Sequence, residues 1–357
     1  MSYKPYKPDK VYVESAALKF EATNRMLSNL PDIEPIIVED LTDVDQAAQE
    51  KSVIIARQKS DFFKRCPGTQ NYICCGYKIL NLVNNCEINC TYCILQGYFH
   101  NSFIIMYANI EHLFIELNDL FKSYPNRIFR IGTGELADSL STDFITEYSK
   151  LLVPFFADKT NAIIELKTKT TLIENFINID HGGRTVVSWS LNTPQKIKSD
   201  ESLSPSLEQR LTAAQKCQNA GFKIGFHFDP MIYYANWERD YKLTVDKIFE
   251  YIDPQNIVWI SLGALRYPPH LDNIIRERHP QTKIVYGELL PGMDGKLRYF
   301  KPIRIKMFSK MYRWIKHYNE NIFVYLCMES SEVWQKAFGW SPKNSATLAK
   351  IMDDLVR

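Results

Sequence analysis

The chain has 357 residues, an ordinary apolar content and a formal net charge of +2, room for two or three domains or for one α/β barrel with appendages. So small a charge excludes attraction of nucleic acid by the whole surface, so basic recognition has to be local. No long uncharged apolar run is present and the residues from Met1 to Lys7 lack the apolar core of a signal peptide, so a cytoplasmic chain with no membrane contact and eight reduced cysteines is expected.

In chain order, Val11 to Val13 and Ile36 to Val38 read as strands around a helix from about Ala16 to Leu30, a small β-α-β unit. An acidic run, Glu39 to Asp45, follows it. Lys51, Arg57, Lys59, Lys64 and Arg65, interleaved with Phe62 and Phe63, read either as the solvated face of a helix or as a phosphate-contacting arm. From Ile79 a beat of strand and helix begins. Strand-like runs occur at Ile79 to Val83, Arg127 to Ile131, Ala162 to Leu166, Thr185 to Ser190, Phe222 to Phe228 and Asn256 to Leu262. Helices are expected from about Asn109, at Asp143 to Phe155, Thr171 to Ile177, Pro205 to Ala220 (Ser204 as cap, Gly221 past its end) and Asp240 to Tyr251. Six strands alternating with helices pair in parallel through right-handed crossovers. The expected fold is α/β: a partial (β/α)6 TIM-type barrel over 66–280, a β-α-β unit and basic segment over 1–65, and an α/β extension over 281–357. Strands are expected in the extension at Ile284 to Tyr286 and Ile322 to Leu326. Between them Lys296, Arg298, Tyr299 and Lys301 alternate charge with an aromatic ring, either as a DNA-contacting turn or as a turn leading into a helix with a charged outer face.

Cys86, Cys90 and Cys93 stand at the spacing C-x3-C-x2-C after the first barrel strand. Three thiolates on one short loop can hold three irons of a 4Fe-4S cluster and leave the fourth open to chelate a small molecule. That spacing is the fingerprint of the radical S-adenosylmethionine (SAM) enzymes. A structural zinc site in a non-enzymatic nucleic-acid binder is the alternative, with further ligands drawn from Cys66, Cys74 and Cys75. Barrel chemistry collects in the loops after the strand ends. Those loops supply Gly134 and Glu135 for close backbone approach and an ammonium acceptor, Lys169 for a carboxylate, Ser190 and Asn192 for ribose or carboxylate oxygens, and Asp229 as a further cofactor-binding residue. Tyr92, inside the cysteine loop, is within reach of cofactor or substrate.

Over nearly its whole length the chain resembles the spore photoproduct lyase family of radical SAM DNA-repair enzymes. The stretches that carry the likeness are Cys66 to Thr69, Cys74 to Tyr77, Cys86 to Gly97, Gly225 to Pro230 with Trp237 to Tyr241, and Asp294 to Lys301. The resemblance implies reversion of a methylene-bridged thymine dimer in DNA to two thymines. An adenosyl radical would remove hydrogen from the lesion and a protein thiol would return one. It also implies a one-electron donor such as flavodoxin or ferredoxin, SAM contacts for Lys169 and Ser190, a tyrosine role for Tyr92, and a lesion-side role for Arg266. Two departures stand out. Some members carry the donor cysteine where this chain has Glu135, and a tyrosine where it has Ile94. Cys74 is the favoured replacement donor, with Cys75 beside it and Cys327 as second choice. A radical SAM enzyme that has moved to another nucleic-acid or small substrate is the competing enzyme reading.

Overall fold

The computed structural model describes residues 5–44, 51–69, 71–99 and 101–357. Asp45 and the first four residues, on which part of the sequence reading rests, lie outside them. Contacts group the chain into two compact units, Met1–Cys66 with Lys78–Glu87 and Tyr98–Thr185, and Pro67–Tyr77 with Ile88–Gly97 and Val186–Arg357. One break between these units, after Cys66, lies a residue from the boundary expected after 65, and none lies at 280.

In the first unit the expected β-α-β unit is present as Lys10–Glu14, Glu21–Ser28 and Pro35–Val38, the two strands pairing in parallel. It belongs to a larger sheet in which Lys10–Glu14 also pairs with Ser52–Ala56, and Ser52–Ala56 with Ile104–Tyr107. The basic segment from Lys51 is therefore neither a helix face nor an arm at its start, because Ser52–Ala56 is a strand buried at all five positions. Val53, Ile54 and Ile55 are β-branched and covered on both faces, as a parallel strand requires. Lys59, beyond the strand, reaches back to Glu14 and Asp40, each at 3.4 Å. The expected strand at Ile79 to Val83 is two strands: Lys78–Leu80 joins Phe63–Arg65 and Phe129–Gly132, while Val83–Asn84 joins Ile104–Tyr107. Phe129–Gly132 in turn pairs in parallel with Ala162–Thr168.

Two helix expectations for this unit fail. The run from Asp143 breaks at Glu147, which sits at φ 51°, into Asp143–Thr146 and Tyr148–Ala157. Thr171 to Ile177 forms turns, not a helix. There the hydroxyls of Thr168 and Thr170 accept the N–H groups of Thr170 (2.8 Å) and Leu172 (3.3 Å), taking backbone donors into local loops.

The second unit is built on parallel strands Thr185–Ser190, Lys223–Met231, Ile257–Ala264 and Phe323–Leu326. The sequence places the last of these in the extension, yet it pairs in parallel with Ile257–Ala264. Helices Leu207–Asn219 and Trp237–Tyr251 follow the first two strands. Ser206, rather than Ser204, caps Leu207–Asn219, in a reciprocal box with Gln209. A short helix, Pro194–Asp200, starts on the Thr193 cap. Ile284 to Tyr286 is a turn; the strands are Leu289–Pro291 and Leu297–Tyr299, an antiparallel hairpin that Arg266–Tyr267 extends. Helices Lys301–Tyr318, Ser331–Phe338 and Ser345–Asp354 complete the unit. Trp189, Trp259, Trp334 and Tyr241 are fully buried in its core. Among the described residues no helix is long and apolar enough to cross a membrane.

Candidate active site

The cysteine loop contributes to both units. In the second, Cys90 is buried and Cys93 half-buried. Asn89 takes φ 50°, a conformation that asparagine tolerates. Gln96 closes the turn by donating from Nε2 to the carbonyls of Cys90 (3.0 Å), Thr91 (3.1 Å) and Cys93 (3.3 Å). Thr91 is fastened to Asp200 twice, N–H to carbonyl at 2.9 Å and hydroxyl to Oδ1 at 2.8 Å, and Thr282 donates to the same Oδ1. Burial pushes the Asp200 carboxyl up. The hydroxyl of Ser199, the Lys196 ammonium and the two threonines outweigh burial and hold it below its ordinary value.

Tyr92 donates its hydroxyl to Glu201. Glu201 accepts from Arg210 Nη2 at 2.6 Å, and the two side chains are 1% and 0% exposed. Arg210 also donates to Pro205 O at 3.0 Å and to Ser190 O at 2.8 Å. A covered charge pair thus ties the cysteine loop to the end of the strand that carries Ser190. Burial, and then the Glu201 charge, keep the Tyr92 phenol protonated well past its usual range. Asn192 is committed on both sides of its amide: Oδ1 accepts from Tyr241 (2.7 Å) and from the Thr193 N–H (3.0 Å), and Nδ2 donates to Pro230 O (3.2 Å).

Asp229 and Arg266 form a two-pronged ion pair, each contact 3.0 Å. A Cβ at 263 would stand 2.5 Å from Asp229 Oδ1 and 2.8 Å from Arg266 Nη1, so a side chain there has to displace the pair. Arg266 Nη2 lies 3.6 Å from Cys327 Sγ. Burial first, and the Asp229 charge second, keep Cys327 a neutral thiol, and Cys75 and Cys74 are near enough to act on it electrostatically. The N–H of Cys74 donates to Ser345 Oγ at 3.0 Å. Arg266 and Cys327 are thus in contact, with Cys74 and Cys75 within electrostatic range of Cys327, which their spacing in sequence does not reveal.

On the hairpin, Arg298 and Tyr299 face inward. Arg298 pairs with Asp294 at 2.5 Å and lies 4.2 Å from the centre of the Tyr72 ring; the Tyr299 hydroxyl accepts the Tyr233 N–H at 3.1 Å. Lys296 is half-buried, and Lys301 is paired with Glu332 at 2.5 Å.

In the first unit, Cys86 follows Asn85, whose backbone is left-handed at φ 75° and whose Oδ1 accepts the Cys86 N–H at 2.9 Å. The Asn85 N–H donates to Leu136 O at 2.9 Å, fixing this stem to the loop that holds Gly134 and Glu135. A Cβ at Gly134 would lie 2.9 Å from Lys167 O, so the bare backbone is required there. Glu135 and Lys169 are half-buried. Asp138 accepts from Thr168 Oγ1 and from the Lys169 N–H, both at 2.7 Å, and so sets the turn on which Lys169 sits. Glu87 accepts from Ser141 Oγ at 3.0 Å; burial, and then the Asp138 charge, push its carboxyl up to about 7. Asp138 belongs to the polar loop that the sequence places after the second strand; no role for Glu87, Asp200, Glu201 or Arg210 is legible there. Nothing local in the sequence marks those four.

Among the described residues no three His, Cys, Asp or Glu side chains are grouped so as to hold a metal ion, so the fit to the expected cofactors is one of donor chemistry and spacing. Three thiols suit three irons, and Thr133 Oγ1, beside Gly134, is buried with no hydrogen-bond partner among the described residues. Parallel strands with intervening helices and a C-x3-C-x2-C loop define the class of radical SAM enzymes. A family model of spore photoproduct lyase matches residues 6–299. The chain belongs to the spore photoproduct lyase family, whose cofactors are a 4Fe-4S cluster and SAM. It is 24% identical over 250 residues to the spore photoproduct lyase of Clostridium acetobutylicum, covering 70% of either chain. It is 23% identical over 302 residues to that of Bacillus subtilis (strain 168), covering 80% of this chain and 86% of the other. A solved spore photoproduct lyase double mutant with bound AdoMet and dinucleoside spore photoproduct matches with a TM-score of 0.81 at 20% identity, over 92% of this chain and 100% of that one. Another, complexed with the dinucleoside photoproduct, gives 0.80 at the same identity and coverage. The likeness confirms the expected partial barrel.

Proposed function

We propose that this chain is a radical SAM lyase that reverts the methylene-bridged thymine dimer of damaged DNA to two thymines. The observation that carries the reading is the C-x3-C-x2-C loop within a family match that runs from residue 6 to 299. Cys86, Cys90 and Cys93 hold the cluster, and Gly134, Glu135, Lys169 and Ser190 receive SAM. When bound, the two cofactors supply a radical that removes a hydrogen atom from the lesion. Asn192 and Asp229, whose side chains are already engaged, shape the site through Tyr241 and Arg266. Tyr92 stays a protonated phenol and holds the cysteine loop to Glu201.

Returning hydrogen to a thymine radical takes an S–H group. Cys74 is the donor, with Cys75 and Cys327 beside it and Arg266 turned toward the lesion. The contact of Arg266 with Cys327, and the electrostatic reach of Cys74 and Cys75 to that thiol, support a donor within this group. Lys296 and Lys301 contact the DNA backbone, while Arg298 and Tyr299 stiffen the hairpin that presents them. The enzyme works in the cytoplasm with a flavodoxin or ferredoxin as reductant.

The test is anaerobic reconstitution with iron, sulfide and SAM, followed by incubation with a synthetic dinucleotide photoproduct. Two thymines are expected, and Cys74→Ala is expected to keep SAM cleavage while losing clean return to thymine. SAM cleavage with an untouched photoproduct would point to another substrate. Zinc without SAM cleavage would point to a binding protein.

A further inference from the structure

A cleft of about 690 Å3 in the second unit is walled by the starts of three helices. Phe300 and Lys301 belong to Lys301–Tyr318, Ser330 to Glu332 to Ser331–Phe338, and Lys343 to Ser345 to Ser345–Asp354. In the last two, the capping side chains take the third amide: Ser330 accepts from Val333 at 3.4 Å and Asn344 from Thr347 at 3.0 Å. The first two amides of each turn are left for another acceptor, at the positive ends of two helix dipoles. A second observation is independent of the helices. Arg298 lines the cleft with its side chain 3% exposed; Nη1 donates to Met328 O at 3.2 Å and Nη2 to Asp294 at 2.5 Å, while Nε is buried with no hydrogen-bond partner among the described residues. The one carboxylate on the wall, Glu332, is already held by Lys301 and Lys336 at 2.5 and 2.8 Å. Lys343, exposed at the rim, has no carboxylate partner among the described residues. Met293 and Phe300 present exposed apolar surface at the same mouth.

We infer that this cleft binds a phosphodiester group of the DNA strand beside the lesion, with the open amides and Lys343 on its oxygens and Phe300 against the adjoining sugar or base. The inference rests on the reading that the substrate is DNA, and it assigns the phosphate to residues beyond the hairpin. The volume is that of a small-ligand site. Its location suits the chemistry, because Ser345 at the cleft holds the backbone of Cys74, the donor thiol.

Binding of a labelled single-stranded oligonucleotide that carries the photoproduct, measured by fluorescence anisotropy on the reconstituted full chain, tests it. One phosphate contact on a single strand contributes a log–log salt slope of about −0.7, which is roughly fivefold in affinity over a tenfold change of salt. Lys343→Glu should therefore weaken binding by roughly that factor at 0.1 M salt and flatten the slope by about 0.7. Ser331→Glu should act in the same direction although an acid at a helix start stabilises the helix, so lost affinity there is not lost folding. Methylphosphonate linkages beside the lesion should erase the differences. Unchanged affinity and slope in both variants would overturn the inference, and so would differences that persist on the neutral backbone. Turnover of the phosphate-free dinucleoside photoproduct tests the lyase reading separately. No thymine from it, alongside the expected affinity pattern, would overturn the repair reading and leave the phosphate cleft standing.

Discussion

Replacing Glu201 by Gln probes the link between the cysteine loop and the barrel. The carboxylate and Arg210 are 2.6 Å apart and covered from solvent, so at an effective dielectric of about 20 their gross attraction is about 6 kcal/mol. The desolvation already spent on both charges offsets part of that, and breaking a buried pair by removing one partner typically costs about 3–5 kcal/mol. Arg210 keeps two carbonyl acceptors, Pro205 O and Ser190 O, which favours the low end, about 3 kcal/mol. The hydrogen bond from Tyr92 weakens as well, since an ionised acceptor is worth about 1.5–3 kcal/mol and a neutral one about 1. Urea unfolding should show the stability loss. Hydrogen exchange should show faster amides between Thr91 and Gly97 than in the wild type, and iron incorporation should fall. A loss below about 1 kcal/mol with the loop amides still protected would refute the reasoning, because Glu201 would then be dispensable to the loop.

Two further outcomes follow from the same geometry. Gly263→Ala places a methyl group 2.5 Å from Asp229 Oδ1 and 2.8 Å from Arg266 Nη1, so the pair must part; a loss of about 2–4 kcal/mol in urea unfolding is expected, and a stability within 0.5 kcal/mol of wild type would contradict it. Glu87 has its carboxyl raised from 4.5 to about 7 by burial and Asp138. A raised carboxyl binds its proton more tightly folded than unfolded, so its contribution is full below about pH 4.5 and is lost as pH rises through about 7. In metal-free protein Glu87→Gln should therefore gain about 3 kcal/mol relative to wild type between pH 4 and pH 8. Parallel stability–pH curves for the two proteins would disprove it.

Several elements were plain in the sequence. Thr185–Ser190 was bounded to the residue, the start of Ile110–Ser123 was marked by Asn109, and the Cys86, Cys90 and Cys93 spacing needs no fold to be noticed. Other elements were hidden by their neighbours. Ser52–Ala56 is an interior strand set between an acidic run and a cluster of lysines and arginines, and the charges dominated the reading. Leu289–Pro291 and Leu297–Tyr299 are only three residues each, too short for an alternating pattern to declare itself. Arg298 and Tyr299 looked like surface contacts because arginine and tyrosine so often are, yet Asp294, Tyr72 and Tyr233 draw them inward.

The sequence by itself determined the chemistry on offer: three thiols at cluster spacing, glycines where backbone must approach closely, and a strand–helix rhythm that specifies parallel pairing. These are properties of covalent spacing and local period, which no distant residue can alter. Tertiary structure alone decided which charges are buried and with whom. Tyr92 and Glu201 are separated by 109 positions, and Arg266 and Cys327 by 61. Whether a carboxylate is solvated, paired or protonated depends on the groups packed around it, and packing brings together residues that the order of the chain keeps apart.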